Sequence, residues 1–351
     1  MNALDLGVLA AYLFGVTAWG AWLGRGQTGG RDYFLGGRNL PWWAVMLSVV
    51  ATETSTLTFL SIPGVAYLGS LTFLQLTLGY LAGRIVVAGV LLPAYHRGEL
   101  ATAYELLDER FGTGIRRLTS VIFMITRLLA DSVRLFATAI PLAFLTGWSY
   151  PVAIGVIGAL TLVYTYLGGI KAVVWVDALQ MGLYLFGAVA AALALQGLVD
   201  GGWAAIVAQA GEAGKLRVFD LSVDPGTAYT LWAGLVGGAF LSMGSHGVDQ
   251  LIVQRLLTCR DLSASRRALI GSGVLVMVQF AVFLFVGLGL WVFYQGRPFE
   301  ASDEIFARFI VEELPVGLTG LLVAAVLAAA MSSLSSSINA LASSTAYDLW
   351  A

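Results

Sequence analysis

Charge is scarce in this sequence. Of its 351 residues only 11% are Asp, Glu, Lys or Arg, against about 25% in an ordinary soluble domain. There is too little ionic surface to face water on all sides. Cysteine is nearly absent: Cys259 stands alone, which rules out an internal disulfide and a cysteine-ligated metal cluster. It reads as a small apolar residue. The two histidines, His96 and His246, stand in no His-x-Glu or comparable motif. They supply neither the nucleophile–base pair nor the metal ligands that a membrane-embedded enzyme needs. No block of like charge marks a nucleic-acid-binding tail, and the net charge is only −2. The N-terminus lacks the basic start of a cleaved signal peptide, so the first apolar run is expected to stay as a helix.

Apolar residues, by contrast, make up 58% of the chain, and the mean hydropathy is +0.84. Charge-free runs cover 6–24, 54–83, 135–170, 178–199, 268–296 and 314–347. Each reaches the roughly 18 residues of a membrane-spanning helix. An all-α polytopic membrane protein follows, with nine spans near 4–23, 41–67, 71–94, 118–146, 150–167, 173–199, 228–253, 268–294 and 316–348. Short loops between them make residues 1–351 one membrane domain. With the N-terminus outside, the inner loops hold 12 Lys and Arg and the outer loops 4. The positive-inside rule then puts the N-terminus outside and the C-terminus inside a cell (inner) membrane.

Two spans are poor helices. Residues 52–58 pack five hydroxyls and Glu53 into seven positions, and Pro63-Gly64 follow. Residues 237–250 hold Gly237, Gly238, Gly244 and Gly247 with Ser242 and Ser245. Backbone that unwinds in a bilayer must line a cavity or be buried in protein. Paired broken helices point to a transporter's binding site; the plainer alternative is that Gly and Ser let helices pack closely. The ninth span adds Ser332, Ser333 and Ser336 on one turn. Such hydroxyls, with freed carbonyls, suit sodium, a hard cation that takes about five or six oxygens. They also suit bonds back to their own helix.

These pieces occur together, in order, in one known family. Asp32-Tyr-Phe-Leu-Gly-Gly-Arg38, Ala51-Thr-Glu-Thr-Ser55 with Pro63-Gly64, and Gly168-Gly-Ile-Lys-Ala-Val-Val-Trp-Val-Asp-Ala-Leu-Gln180 match it. So do Ser245-His-Gly-Val-Asp-Gln250, Val253-Gln-Arg255 and Ser332-Ser-Leu-Ser-Ser336. The sequence resembles the sodium:solute symporters. The resemblance implies a LeuT-like core of five plus five inverted repeats after one extra helix. It also implies that two core helices and the usual C-terminal helices are missing after Trp350, so that the nine-helix chain is truncated. A membrane sensor module and a non-transporting fragment are the alternatives.

By position, the resemblance puts the common sodium site on the carbonyls of Ala51, Thr54 and Ala329 and the hydroxyls of Ser332 and Ser333. It implies a second sodium on Asp177 with Ser335 and Ser336, Ser332 being shared. The alternatives for Asp177 are a pair with Lys171 or a helix cap. For the solute, the broken helix offers Glu53, Ser55 and Thr58, although Glu53 has Arg84 as an alternative partner. Arg127, Asp131 and Arg134 share one helix face. They form either a self-neutralising ladder or one that leaves Arg134 for an anionic solute. His246 and Asp249 read as water-facing or capping residues, and His96 carries no signal. The function expected is sodium-coupled symport of a small polar organic solute into the cell. Its partners are sodium, the solute and the lipid bilayer, with no other cofactor and no nucleic acid.

Overall fold

The computed structural model describes residues 2–350 apart from 28, 99 and 225. These residues form helices throughout, and among them the only β pairing is one isolated bridge between Leu40 and Cys259. Among the described residues five helices are long and apolar enough to cross a membrane, or six if the bent pair Trp42–Glu53 and Thr56–Leu68 is counted as one span. All nine expected spans are helical: α1 (Ala3–Leu23), the bent pair α3 (Trp42–Glu53) and α4 (Thr56–Leu68), α5 (Gln75–Arg97), α7 (Thr113–Thr146), two arms of α8 (Tyr150–Leu198), α10 (Leu231–Gly247), α12 (Leu262–Phe293) and α14 (Leu318–Ser344). The segments read as loops also carry helices. These are α2 (Gly30–Leu35), α6 (Glu105–Phe111), α9 (Gly202–Glu212), α11 (Gln250–Leu257) and α13 (Ser302–Glu312). They are short and mostly amphipathic, which leaves no long apolar run to read in advance.

The 49 residues of α8 would span about 74 Å if straight, more than twice the hydrocarbon thickness. They do not run straight. Tyr164 donates to the Met331 carbonyl at 3.2 Å, and Ser332 donates to Asp177 at 2.7 Å. Residues thirteen apart on α8 therefore lie at one level of α14, and the chain folds back between them at Gly169, whose φ is 55°. A side chain there would meet the Tyr33 carbonyl. The turn is held from outside: Gln27 donates to the Gly168 carbonyl at 2.7 Å, Tyr33 reaches the Thr165 carbonyl at 3.2 Å, and Lys171 pairs with Asp32 at 2.6 Å. The Asp32-Tyr33 motif thus pins the turn between two spans.

The glycines of the seventh span do not break it. The helix continues to Gly247, and the interruption falls at Val248–Asp249, where Asp249 caps α11 by accepting from the Leu251 amide at 2.9 Å. The glycines serve close packing against α5 instead. A Cβ on Gly79 would run into the Gly234 carbonyl, one on Gly83 into the Ala239 carbonyl, and one on Gly238 into the Leu76 carbonyl. Gly83→Val should therefore lower stability by about 1–3 kcal/mol through overpacking, read as a lower thermal unfolding midpoint in detergent. Gly89→Val on the same helix, where a Cβ meets nothing within 4 Å, should leave that midpoint close to wild type. Equal midpoints for the two variants would contradict the packing described.

Candidate functional site

The break between α3 and α4 bends the chain by 71°. Thr54 and Ser55 are extended there, with ψ of 98° and 169°. A helix end leaves its last carbonyls without donors. Here the carbonyls of Ala51, Glu53 and Thr54 receive no hydrogen bond from any described residue, and that of Thr52 receives only the Ser333 hydroxyl at 3.5 Å. The side chains around the break are tied down. Thr54 exchanges hydrogen bonds with Gln279 of α12 at 2.8 and 3.2 Å, and Thr56 donates to the Val326 carbonyl of α14 at 3.0 Å. Ser55 caps α4. Three unsatisfied carbonyls thus sit among side chains fixed to neighbouring helices, and Ser333 of α14 reaches the Thr52 carbonyl between them. A cavity of about 10 Å³ lies alongside, bounded by Ser55, Asp131, Arg134, Ala329 and Ser333. That is room for one water-sized body.

One turn away, Asp177 is fully buried and so is Arg255 of α11, their atoms 3.1 Å apart. Ser48 and Ser332 each donate to the carboxylate, at 2.6 and 2.7 Å. The guanidinium also bonds Ser336, Ser48 at 2.8 Å and the Leu251 carbonyl at 2.6 Å. This network ties α3, α8, α11 and α14 together. It corrects three expectations. Asp177 pairs with Arg255, because Lys171 is already taken by Asp32, and it lies inside α8 rather than capping it. Ser335 turns back to the Ser332 carbonyl at 3.0 Å and makes no bond to Asp177. Ser336 reaches the acid only through the arginine. A cation already stands where the second sodium was expected.

A larger cavity, about 230 Å³, opens on the other side of the break. Glu53, Tyr80, Arg127, Arg134, His246 and Asp249 are among its lining residues. Glu53 faces it already paired with the buried Arg84 of α5, which Ser272 also holds at 2.7 Å. His246, read as water-facing or capping, is buried, its Nε2 3.5 Å from the Glu53 carboxylate. The α7 ladder forms: Arg127 pairs with Asp131 at 3.0 Å and reaches Asp249 at 3.8 Å, while Arg134 meets Asp131 only at 3.5 Å. Arg134 lines both cavities and has the loosest counter-charge of the group. Ser55 borders only the small cavity, and Thr58 bonds Ser55 at 3.3 Å and lines neither.

Of the residues proposed from sequence, Ala51 and Thr54 lie at the break, Ala329 and Ser333 border the small cavity beside it, Ser332 is bonded to Asp177, and Glu53 and Arg134 line the larger cavity. His96 is a structural anchor, bonded to Ser265 at 2.9 Å, and Cys259 is buried as a free thiol. The sequence reading missed Ser48, Gln279 and the role of Arg255. An arginine seated in the apolar segment 250–257 with no acid within four residues after it was the available signal, since such a charge needs a partner from elsewhere in the bundle.

A model of the sodium:solute symporter family matches residues 33–351. The sodium/sialic acid symporter SiaT of Proteus mirabilis is 32% identical over 99% of this chain and 71% of its own length. The human sodium/iodide cotransporter is 31% identical, over 99% of this chain and 56% of its own. Human sodium-coupled monocarboxylate transporter 2 is 30% identical, over 98% and 57%. The chain thus spans little more than half the length of the two human relatives. A solved structure of a sodium-coupled sialic acid symporter, substrate-bound and outward-open, superposes with a TM-score of 0.93 at 31% identity. It covers 99% of this chain and 75% of that one.

The Asp177–Arg255 pair makes a prediction independent of transport. Removing one member of a buried pair costs about 3–5 kcal/mol, because the other charge is left unpaired. Asp177→Asn and Arg255→Gln should each lower the unfolding midpoint strongly, and the double variant should lose far less than the sum. Additive losses would mean that the two charges do not meet.

Proposed function

The chain belongs to the sodium:solute symporter family, with its LeuT-like fold, and from that membership we propose that it carries a small polar organic solute into the cell with sodium, by alternating access. The observation that carries this reading is that the carbonyls of Ala51 and Thr54 receive no hydrogen bond from any described residue, next to the Thr52 carbonyl that Ser333 of α14 reaches. The sodium ion takes those two carbonyls, the Ala329 carbonyl and the hydroxyls of Ser332 and Ser333. Neutral oxygens suffice because a monovalent ion is cheaper to hold than a divalent one. Ser332 also bonds Asp177. A second ion at Asp177 would therefore share Ser332 and would have to displace the Arg255 guanidinium.

The solute occupies the cavity lined by Glu53, Tyr80, Arg134 and His246. Glu53 is paired with Arg84, and Arg127 holds Asp131 at 3.0 Å and reaches Asp249 at 3.8 Å, so the cation with the loosest counter-charge is Arg134, 3.5 Å from Asp131. The relatives' names specify sialic acid, iodide and monocarboxylates, all anions, and a carboxylate on Arg134 is the matching assignment here. Ser55 and Thr58 support the break rather than touch the solute.

Orientation follows the arginine count, with the C-terminal end of α14 inside. At that end Arg116 binds Glu105 at 3.0 Å, Asp108 at 3.1 Å and Asp348 at 2.9 Å. Gln250 meanwhile takes the Ala103 amide at 2.8 Å. These bonds close the inner face. A conformation closed inside presents the sodium ligands and the solute cavity to the outer side, where sodium is abundant. Each inward charge gains about 2.3 kcal/mol per 100 mV of membrane potential.

In liposomes bearing an inward sodium gradient, uptake of the transported carboxylate should fall at least tenfold when potassium replaces sodium, and undiminished uptake would contradict the coupling. Arg134→Gln removes a charge-assisted bond and should weaken carboxylate binding about tenfold to a hundredfold. Neutral polar solutes should change little. An equal loss for both would return Arg134 to the role of a ladder rung.

A further inference from the structure

Where α3 and α12 begin, at the end of the bundle shared with α2, a groove of about 530 Å³ lies apart from the transport path. Trp42, Trp43, Arg260, Asp261 and Arg267 are among its lining residues. Trp42 and Trp43 are 38% and 43% exposed, and Trp43 meets Trp175 of α8 edge-on at 5.3 Å. Exposed tryptophans at the ends of spanning helices sit at the level of lipid headgroups.

The charges in the groove do not cancel. Asp261 accepts from the Ala264 amide at 2.8 Å, which holds its carboxyl below the usual range, and it pairs with Arg260 at 2.9 Å. Arg267 is exposed and makes no ion pair with any described residue. One positive charge is left over. The first turn of α3, which forms the opposite wall, has no side-chain cap.

What leads away from the groove selects the ligand. Val274 and Val278, 49% and 51% exposed, lie seven and eleven positions beyond Arg267 and so on its face of α12. Leu179, one turn beyond Trp175, is 49% exposed. A polar, cationic mouth thus opens onto an apolar lane running into the membrane. A soluble anion has no use for the lane; a phospholipid uses both.

We propose that this groove binds an anionic glycerophospholipid, its phosphate on Arg267 and Arg260 and its acyl chains along Val274 and Val278. Basic pockets between spanning helices on the inner side are a recognised setting for such headgroups. The proposal does not depend on sodium coupling or on the solute.

The test uses the purified protein equilibrated in mixed phosphatidylcholine and phosphatidylglycerol vesicles, re-extracted, with bound lipid quantified by mass spectrometry. Wild type should retain phosphatidylglycerol above its bulk share. Arg267→Gln should cut that enrichment about fivefold, the worth of one arginine near an anionic surface. Arg267→Lys should keep it, as should Arg97→Gln, which removes another exposed arginine at the same end of the bundle. Four outcomes would overturn the proposal: no enrichment in wild type, an equal loss in Arg97→Gln, a loss in Arg267→Lys, or displacement of the lipid by added inorganic phosphate, which would mark a site for soluble anions.

Discussion

Carbonyls of a helix interrupted inside a membrane have no water to turn to, and those of Ala51, Glu53 and Thr54 receive no hydrogen bond from any described residue either. Much of the polar structure around the break answers that constraint. Gln279 fixes the Thr54 side chain, Thr56 is tied to α14, and Ser333 reaches the Thr52 carbonyl. What is left open is a small set of oxygens that no amide or hydroxyl fills. A bound cation completes such a set at little reorganisation, because the frame is already in place.

Charge is handled by the same economy. Asp177 with Arg255, and Glu53 with Arg84, are pairs with at least one fully buried member. Such pairs add little net stability over apolar residues, yet losing one partner is costly. Each therefore locks together the helices that contribute to it. The first joins α8 to α11 and, through Ser48 and Ser332, to α3 and α14. The second joins α3 to α5 and α12. Any rearrangement of these helices must carry the pairs along or break them.

Much of this was legible in the sequence, and the failures have physical causes. Scarce charge and long apolar runs located nine helical segments, and the hydroxyl-rich stretch 52–58 placed the break between α3 and α4. The glycines of 237–247 misled, since in a membrane the same residue permits unwinding and close approach alike. Only the neighbouring helix, with Gly79 and Gly83 opposite, distinguishes the two uses. Partner choice was also hidden: Lys171 and Arg255 were both available to Asp177 by type, and six residues of separation favoured the wrong one. The short helices α2 and α13 bury their apolar sides on the bundle, so their pattern makes sense only once the bundle exists.

The central claim, that the broken helix and α14 hold sodium, is tested most directly by equilibrium binding of radioactive sodium to the purified protein without solute. Ser332→Ala combined with Ser333→Ala should weaken sodium binding at least tenfold, while Arg134→Gln, on the solute side of the break, should bind sodium as wild type does. Unchanged sodium affinity in the double serine variant would contradict the site.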